Sequence, residues 1–191
     1  MSLSLGLVIL FVFVTVALLG GSLGILRDDP AARDVRPIDY TDELSRALAE
    51  AEFEVVAPAE VPNGWVSQSA RTEVRPDQGT SVLLQIGFLT ADERYATVAQ
   101  TDDEPSEVLE AYRLGEEIEA TVDVAGRPYE QHRRTDRDEI ALVRTEGGRT
   151  VVVTGDASLA DLTDLAASLR PADSLPTQAP GAGAGEFTPV D

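Results

Sequence analysis

The chain has 191 residues, with 34 Asp and Glu against 15 basic residues, every one of them Arg, for a formal net charge of −19. Such a surface repels phosphate backbones and anionic headgroups, so nucleic acid is excluded as an expected partner. With no Cys and no Lys, disulfides, thiolate nucleophiles, Cys-bound zinc, Schiff-base lysines and the P-loop lysine are excluded too.

Leu3 to Leu26 runs for 24 positions without a charged side chain. As a helix rising about 1.5 Å per residue it reaches roughly 36 Å, enough to cross a hydrocarbon core of about 30 Å. A cleavable signal needs a basic n-region and small residues at the cut. Gly20, Gly21 and Ser22 supply the second, but no Lys or Arg precedes the run. Residues 1–26 are therefore expected to be a retained transmembrane signal-anchor. Arg27, Arg33 and Arg36 follow it, and a plain count of positive charge would put the C-terminal side in the cytoplasm. The missing basic n-region points instead to a start further upstream. The expectation is a single-pass protein of the cytoplasmic membrane whose domain faces outside.

Residues 27–37 read as a charged linker, and residues 38–170 as one extracytoplasmic domain of ordinary size. That domain holds 28 Asp and Glu and 12 Arg, a net charge of 12 − 28 = −16. Thr41-Asp42-Glu43 opens a helix with Thr41 as its cap, and Leu44, Ala47, Leu48 and Ala51 form its apolar stripe to about Glu52. Pro58 to Trp65 is a turn segment. Trp65, the only Trp, reads either as a stacking platform for a ligand or as a core anchor for the strand it precedes.

Val66 to Val74 predicts a mostly polar strand at an edge or with one wet face. In Ser81 to Thr90, Val82, Leu84, Ile86 and Phe88 share one face. Arg94 to Gln100 returns, and Pro105 opens a helix bearing Val108, Leu109 and Tyr112. Ile118 to Val122 and Pro128 to Arg133 flank a turn at Val124 to Arg127. Ile140 to Thr145 and Thr150 to Gly155 flank Glu146-Gly147-Gly148. Ser158 and Asp161 form a capping box for a helix that Pro171 stops. The two hairpin–helix stretches overlay weakly, Val98 falling on Val153, as either duplication or chance would allow. The fold class is α+β: an antiparallel sheet built from hairpins with helices on one face, after one N-terminal transmembrane helix. Residues 171–191 have almost no large apolar residue and are expected to be a disordered tail.

Chemistry is scarce. His132, the only histidine, reads as a surface residue of a polar strand. A triad with Ser106 or Ser158 and Asp136 lacks a Gly-x-Ser-x-Gly elbow. Asp102-Asp103-Glu104 and Glu116-Glu117-Ile118-Glu119 lack the spacing of a calcium loop and read as solvated charge. Arg144, on the face of Ile140 and Leu142, is either an anion contact in a cleft or the partner of an acid at the sheet rim. Trp65 and Arg144 are thus the only ligand-binding candidates; no catalytic residue, metal ligand or cofactor is assigned.

Val61-Pro62-Asn63-Gly64-Trp65, Ile86-Gly87-Phe88-Leu89-Thr90, Ala141-Leu142-Val143-Arg144-Thr145, Val152-Val153-Thr154-Gly155 and the closing Ser168-Leu169-Arg170 resemble an actinobacterial membrane-anchored family known as domain of unknown function 4245. The resemblance covers Leu3 to Arg170 and implies a membrane anchor, but no activity and no site residues. The expected function is a non-enzymatic binding or envelope-assembly domain with an envelope protein as its partner. The alternative is a hydrolase-type enzyme of the cell envelope using carboxylates.

Overall fold

The computed structural model describes residues 37–75 and 81–175. The apolar run Leu3–Leu26 and the tail beyond residue 175 lie outside the described residues. Among the described residues no helix is long and apolar enough to cross a membrane.

The first helix, α1 (Thr41–Glu50), stops two residues short of the expected end because Ala51 is already extended. Thr41 is its first residue and not its cap. Asp39 serves the terminus instead, its carboxylate accepting from the Thr41 backbone N–H at 2.9 Å, and those bonds from Thr41 hold the Asp39 carboxyl below its ordinary range. Two short strands that periodicity does not reveal, β1 (Val56–Pro58) and β9 (Leu169–Pro171), pair antiparallel across most of the domain.

Seven further strands form one antiparallel sheet: β2 (Val66–Arg75), β3 (Ser81–Leu89), β4 (Tyr95–Thr101), β5 (Ala120–Val124), β6 (Arg127–Arg133), β7 (Ile140–Glu146) and β8 (Arg149–Gly155). Their spatial order is β2-β3-β4-β8-β7-β6-β5. β2 is an edge strand, one of the two placements its polar pattern allowed. The helix α2 (Pro105–Ala111) links β4 to β5. The helix α3 (Leu159–Ser168) follows β8 with the expected capping box of Ser158 and Asp161.

Alternation sorts the core. Val82, Leu84, Ile86 and Phe88 of β3 are essentially inaccessible, and with Val98, Leu142 and Val153 they pack against Ala47 of α1 and Leu162 and Leu165 of α3. The opposite face is covered as well, which corrects the expectation of helices on one face only. Leu83, Ala99, Ala141, Val143 and Val152 form a second apolar cluster with Val108 of α2 and Leu114. The physical reason is legible in hindsight: Ala141-Leu142-Val143 and Val151-Val152-Val153 are apolar at consecutive positions, so β7 and β8 need cover on both faces. The meanders β2-β3-β4 and β6-β7-β8 abut along β4 and β8 with Val98 opposite Val153. A rotation relating two antiparallel neighbours keeps each face on its own side. Because α2 and α3 lie on opposite faces, any repeat is confined to the strands.

One buried polar residue ties the β1–β9 ribbon to the sheet. Val56 lies opposite Pro171 at a non-bonded position of the ribbon, whose ladder bonds run from Ala172 to Val55 and from Ala59 to Ser168, so its own N–H and C=O face away from β9. Gln100 of β4, 1% exposed, serves both of these outward groups: its Oε1 accepts the Val56 N–H at 2.8 Å and its Nε2 donates to the Val56 carbonyl at 2.6 Å. Ala172 then bonds the Val55 carbonyl, and a turn of 3₁₀ helix follows at Ala172–Ser174. The ordered domain therefore continues past the expected boundary at Arg170, and the stretch to Leu175 is not tail.

Candidate functional site

The two ligand candidates are not brought together. Trp65 precedes β2 at one edge, half-buried against the main core, its N–H closing a turn onto the Pro62 carbonyl at 3.0 Å. Arg144 lies on β7, four strands away in the sheet order, or roughly 19 Å at about 4.8 Å per strand. Its guanidinium sits 5.9 Å from the centroid of the Tyr129 ring and is paired with Glu146. Arg144 thus caps the rim of the core and is occupied by an acid and an aromatic face. At the same rim, Arg149 is buried and pairs with Glu54 at 3.3 Å.

His132 is not a surface residue. It is 2% exposed, because β6 alternates and puts it on the α2 side of the sheet opposite Ala141. Its Nδ1 lies 2.9 Å from the Gly115 carbonyl. A carbonyl only accepts, so Nδ1 carries the proton in that bond. Its Nε2 is buried without a hydrogen-bond partner, 3.5 Å from a Glu130 carboxylate oxygen.

The other members of the conceivable triad are spent elsewhere. Ser158 caps α3. Asp136 accepts two bonds from Arg134, at 2.9 and 3.0 Å, and is approached by Arg113 and Arg137. The Arg134 bonds hold its carboxyl down at about 2. Ser106 lines an open depression of about 730 Å³ with Leu109, Glu110, Arg113, Leu114, Glu116 and Thr135. Neither Asp136 nor His132 lines it.

The first acidic cluster is structural and not merely solvated. Asp102 accepts the Val82 N–H at 2.9 Å. Asp103 takes the Ser81 hydroxyl and, at 2.8 Å, the Arg75 guanidinium. These bonds pin the start of α2 to the ends of β2 and β3. Beyond α2, Tyr112 lies in the second core, where burial above all pushes its hydroxyl up to about 12. Nearby on this face Tyr95 crosses Gly87 to reach the Ser69 hydroxyl at 3.1 Å. Any side chain at Gly87 would collide with that ring, since a Cβ there would stand 2.0 Å from the Tyr95 oxygen.

The second acidic cluster behaves differently. Residues 116–121 are exposed without a break, and Ile118 is 49% accessible. Glu119 is held by Arg133 at 2.7 Å and Gln131 at 3.1 Å, the Arg133 bond above all lowering its carboxyl. Glu116, Glu117 and Asp123 enter no ion pair among the described residues. Asp123 lies on β5 itself, and Glu116 and Glu117 lie in the exposed stretch that leads into it. Among the described residues no cluster of acids or histidine could hold a metal ion.

The sequence matches the family model described as "Protein of unknown function (DUF4245)" over residues 1–169. The chain belongs to that family. The match spans the apolar run and every described element of this DUF4245 domain up to the first residue of β9. No curated protein matches the chain. Sequence reasoning singled out Trp65 and Arg144 by residue type, but passed over the β5 margin of the DUF4245 domain. The signal available for it was the run Glu116-Glu117-Ile118-Glu119, an apolar residue set among acids.

Proposed function

We propose that this protein is a non-enzymatic, single-pass membrane protein that displays its α+β domain outside the cytoplasmic membrane and binds a basic envelope partner. The observation that carries the reading is the exposed acidic margin from Glu116 to Asp123, with the accessible Ile118 in its midst. Acids without ion-pair partners attract a cationic surface and speed its encounter, and an exposed isoleucine gives that surface an apolar foothold. The apolar run Leu3–Leu26 supports the anchor and, through the anchor, an envelope location.

Support for a binding role also comes from the fate of the reactive side chains. His132, Ser158, Asp136, Asp102 and Asp103 all serve bonds that hold the fold together. Crosslinking of intact membranes followed by purification at low and high salt tests the proposal. A partner recovered at low salt, lost at high salt and lost with Glu116→Lys/Glu117→Lys is the expected result. Recovery unaffected by salt and by those substitutions would refute the acidic margin as the contact. Protease added to spheroplasts tests the topology, with digestion of residues 38–191 expected and protection contradicting it.

A further inference from the structure

We propose that the outer edge of β5 is a strand-addition site for a basic, extended polypeptide segment; this rests on the partner-binding reading above and specifies how the partner engages. The sheet has two edges, β2 and β5. An edge strand offers a row of backbone donors and acceptors to any passing chain, and proteins ordinarily blunt it.

β2 is blunted. The Ser67 carbonyl accepts the Ile38 N–H at 3.0 Å, and the Thr72 N–H is taken by the Glu43 carboxylate at 2.7 Å. A register shift between Ser67 and Ser69 further breaks the edge.

Among the described residues no segment bonds the outer side of β5, and within Ala120–Val124 its register with β6 is unbroken. Its hairpin with β6 turns through Ala125 and Gly126, with φ of 53° and 80°. Positive φ at both central residues marks a two-residue type I′ turn, which makes the flanking pair, Val124 and Arg127, a hydrogen-bonded one. Bonded and non-bonded pairs then alternate along an antiparallel ladder. Val122–Tyr129 is therefore bonded, while Asp123–Pro128 and Thr121–Glu130 are not. Pro128 agrees with this phase, since a residue without an N–H is suited to a non-bonded position. It follows that Thr121 and Asp123 direct their N–H and C=O groups away from β6. Both residues are exposed.

The charge on this margin selects the occupant. A second copy would bring Glu116, Glu117 and Asp123 against their own kind, and the domain as a whole repels itself. A basic segment meets the opposite situation. A guest residue opposite Asp123 stands about 5 Å from it, Cβ to Cβ, on the same face of the sheet. The neighbouring guest position lies beside Val122, which is partly buried against the main core. Alternating basic and apolar residues fit both faces.

The test uses the full chain in neutral maltoside micelles and a short peptide of alternating Arg and Val. A second peptide has the same side chains but is N-methylated at alternate amides. The expected results are slowed amide exchange at Thr121 and Asp123 by about tenfold or more, and affinity lower by a similar factor for the N-methylated peptide. Thr121→Pro removes an outward N–H without touching a β6 bond and weakens binding likewise. Should that variant lose its fold, Thr121→Lys, which sets a like charge against the peptide, is measured in its place with the same expected direction. Equal affinity of the two peptides, with no slowing at Thr121 and Asp123, overturns strand addition and leaves the partner reading standing. Failure of both peptides to bind at low salt overturns both. Concentration-dependent protection of the two amides without peptide assigns the edge to a second copy and overturns the basic occupant.

Discussion

Replacing Gln100 with leucine tests how the ribbon is held to the sheet. The two side chains are close in size, so Gln100→Leu leaves little cavity and isolates the loss of hydrogen bonding. Val56 is 3% exposed and its N–H and C=O are both served by Gln100. Val56 sits at a non-bonded position of the β1–β9 ribbon, so β9 cannot take over these groups, and no water reaches a site this buried without rearrangement. Each orphaned buried group costs about 1–3 kcal/mol, so two cost roughly 2–6 kcal/mol. The apolar leucine recovers about 1 kcal/mol by avoiding the burial of an amide, leaving a net loss near 3 kcal/mol. For a domain of this size that is a fall in Tm of roughly 8–15 °C. Urea unfolding followed by circular dichroism measures it, and hydrogen exchange at the Val56 amide locates it. Gln100→Glu adds a second reading. Its ionised carboxylate sets an oxygen against the Val56 carbonyl, so the folded state raises its pKa. The penalty is therefore greatest above the folded pKa and lessens as the pH falls and a protonated carboxyl donates again. A loss under about 1 kcal/mol in Gln100→Leu, with unaltered exchange at Val56, would refute the reasoning.

Trp65→Ala should cost roughly 2–3 kcal/mol, below the about 3–5 kcal/mol of a fully buried aromatic because Trp65 is only half-buried; an unchanged unfolding midpoint would return it to the ligand-platform role. Tyr112, raised from 10.0 to about 12 chiefly by burial, contributes stability that is whole below pH 10 and declines as the pH rises toward 12, by about 2–3 kcal/mol. Tyr112→Phe should remove that share of the alkaline loss, and identical alkaline unfolding of the two proteins would count against it. Asp136, lowered from 3.8 to about 2 by Arg134, contributes stability that is present above pH 3.8 and lost as the pH falls through 2. Carboxyl NMR of Arg134→Gln should show the Asp136 midpoint move back toward 3.8, and a midpoint that stays put would mean that Arg134 is not its cause.

Much of the fold was legible because local rules govern it. Val82, Leu84, Ile86 and Phe88 alternate strictly and are all buried on one face, and Ser158 and Asp161 announce the α3 start at the spacing a capping box needs. What composition excluded did not depend on the fold at all: a chain without Cys or Lys and with a formal charge of −19 forgoes the same chemistries however it folds. Tertiary structure decided the rest, because the contacts involved join residues far apart in sequence. Periodicity says that a helix has an apolar stripe but not which face of a sheet the stripe meets, and α2 went to the side that β7 and β8 left apolar. Three-residue strands have no period to read, so β1 and β9 exist only through Gln100 and each other. His132 looked exposed among charged neighbours, yet strand alternation turned it onto the α2 side of the sheet and the Gly115 carbonyl, away from the face of its neighbour Arg133. The two edges of the sheet were equally invisible. Whether an edge is covered depends on what a distant segment does with its own backbone, and only the fold put Ile38 and Glu43 on β2 while leaving Thr121 and Asp123 of β5 exposed.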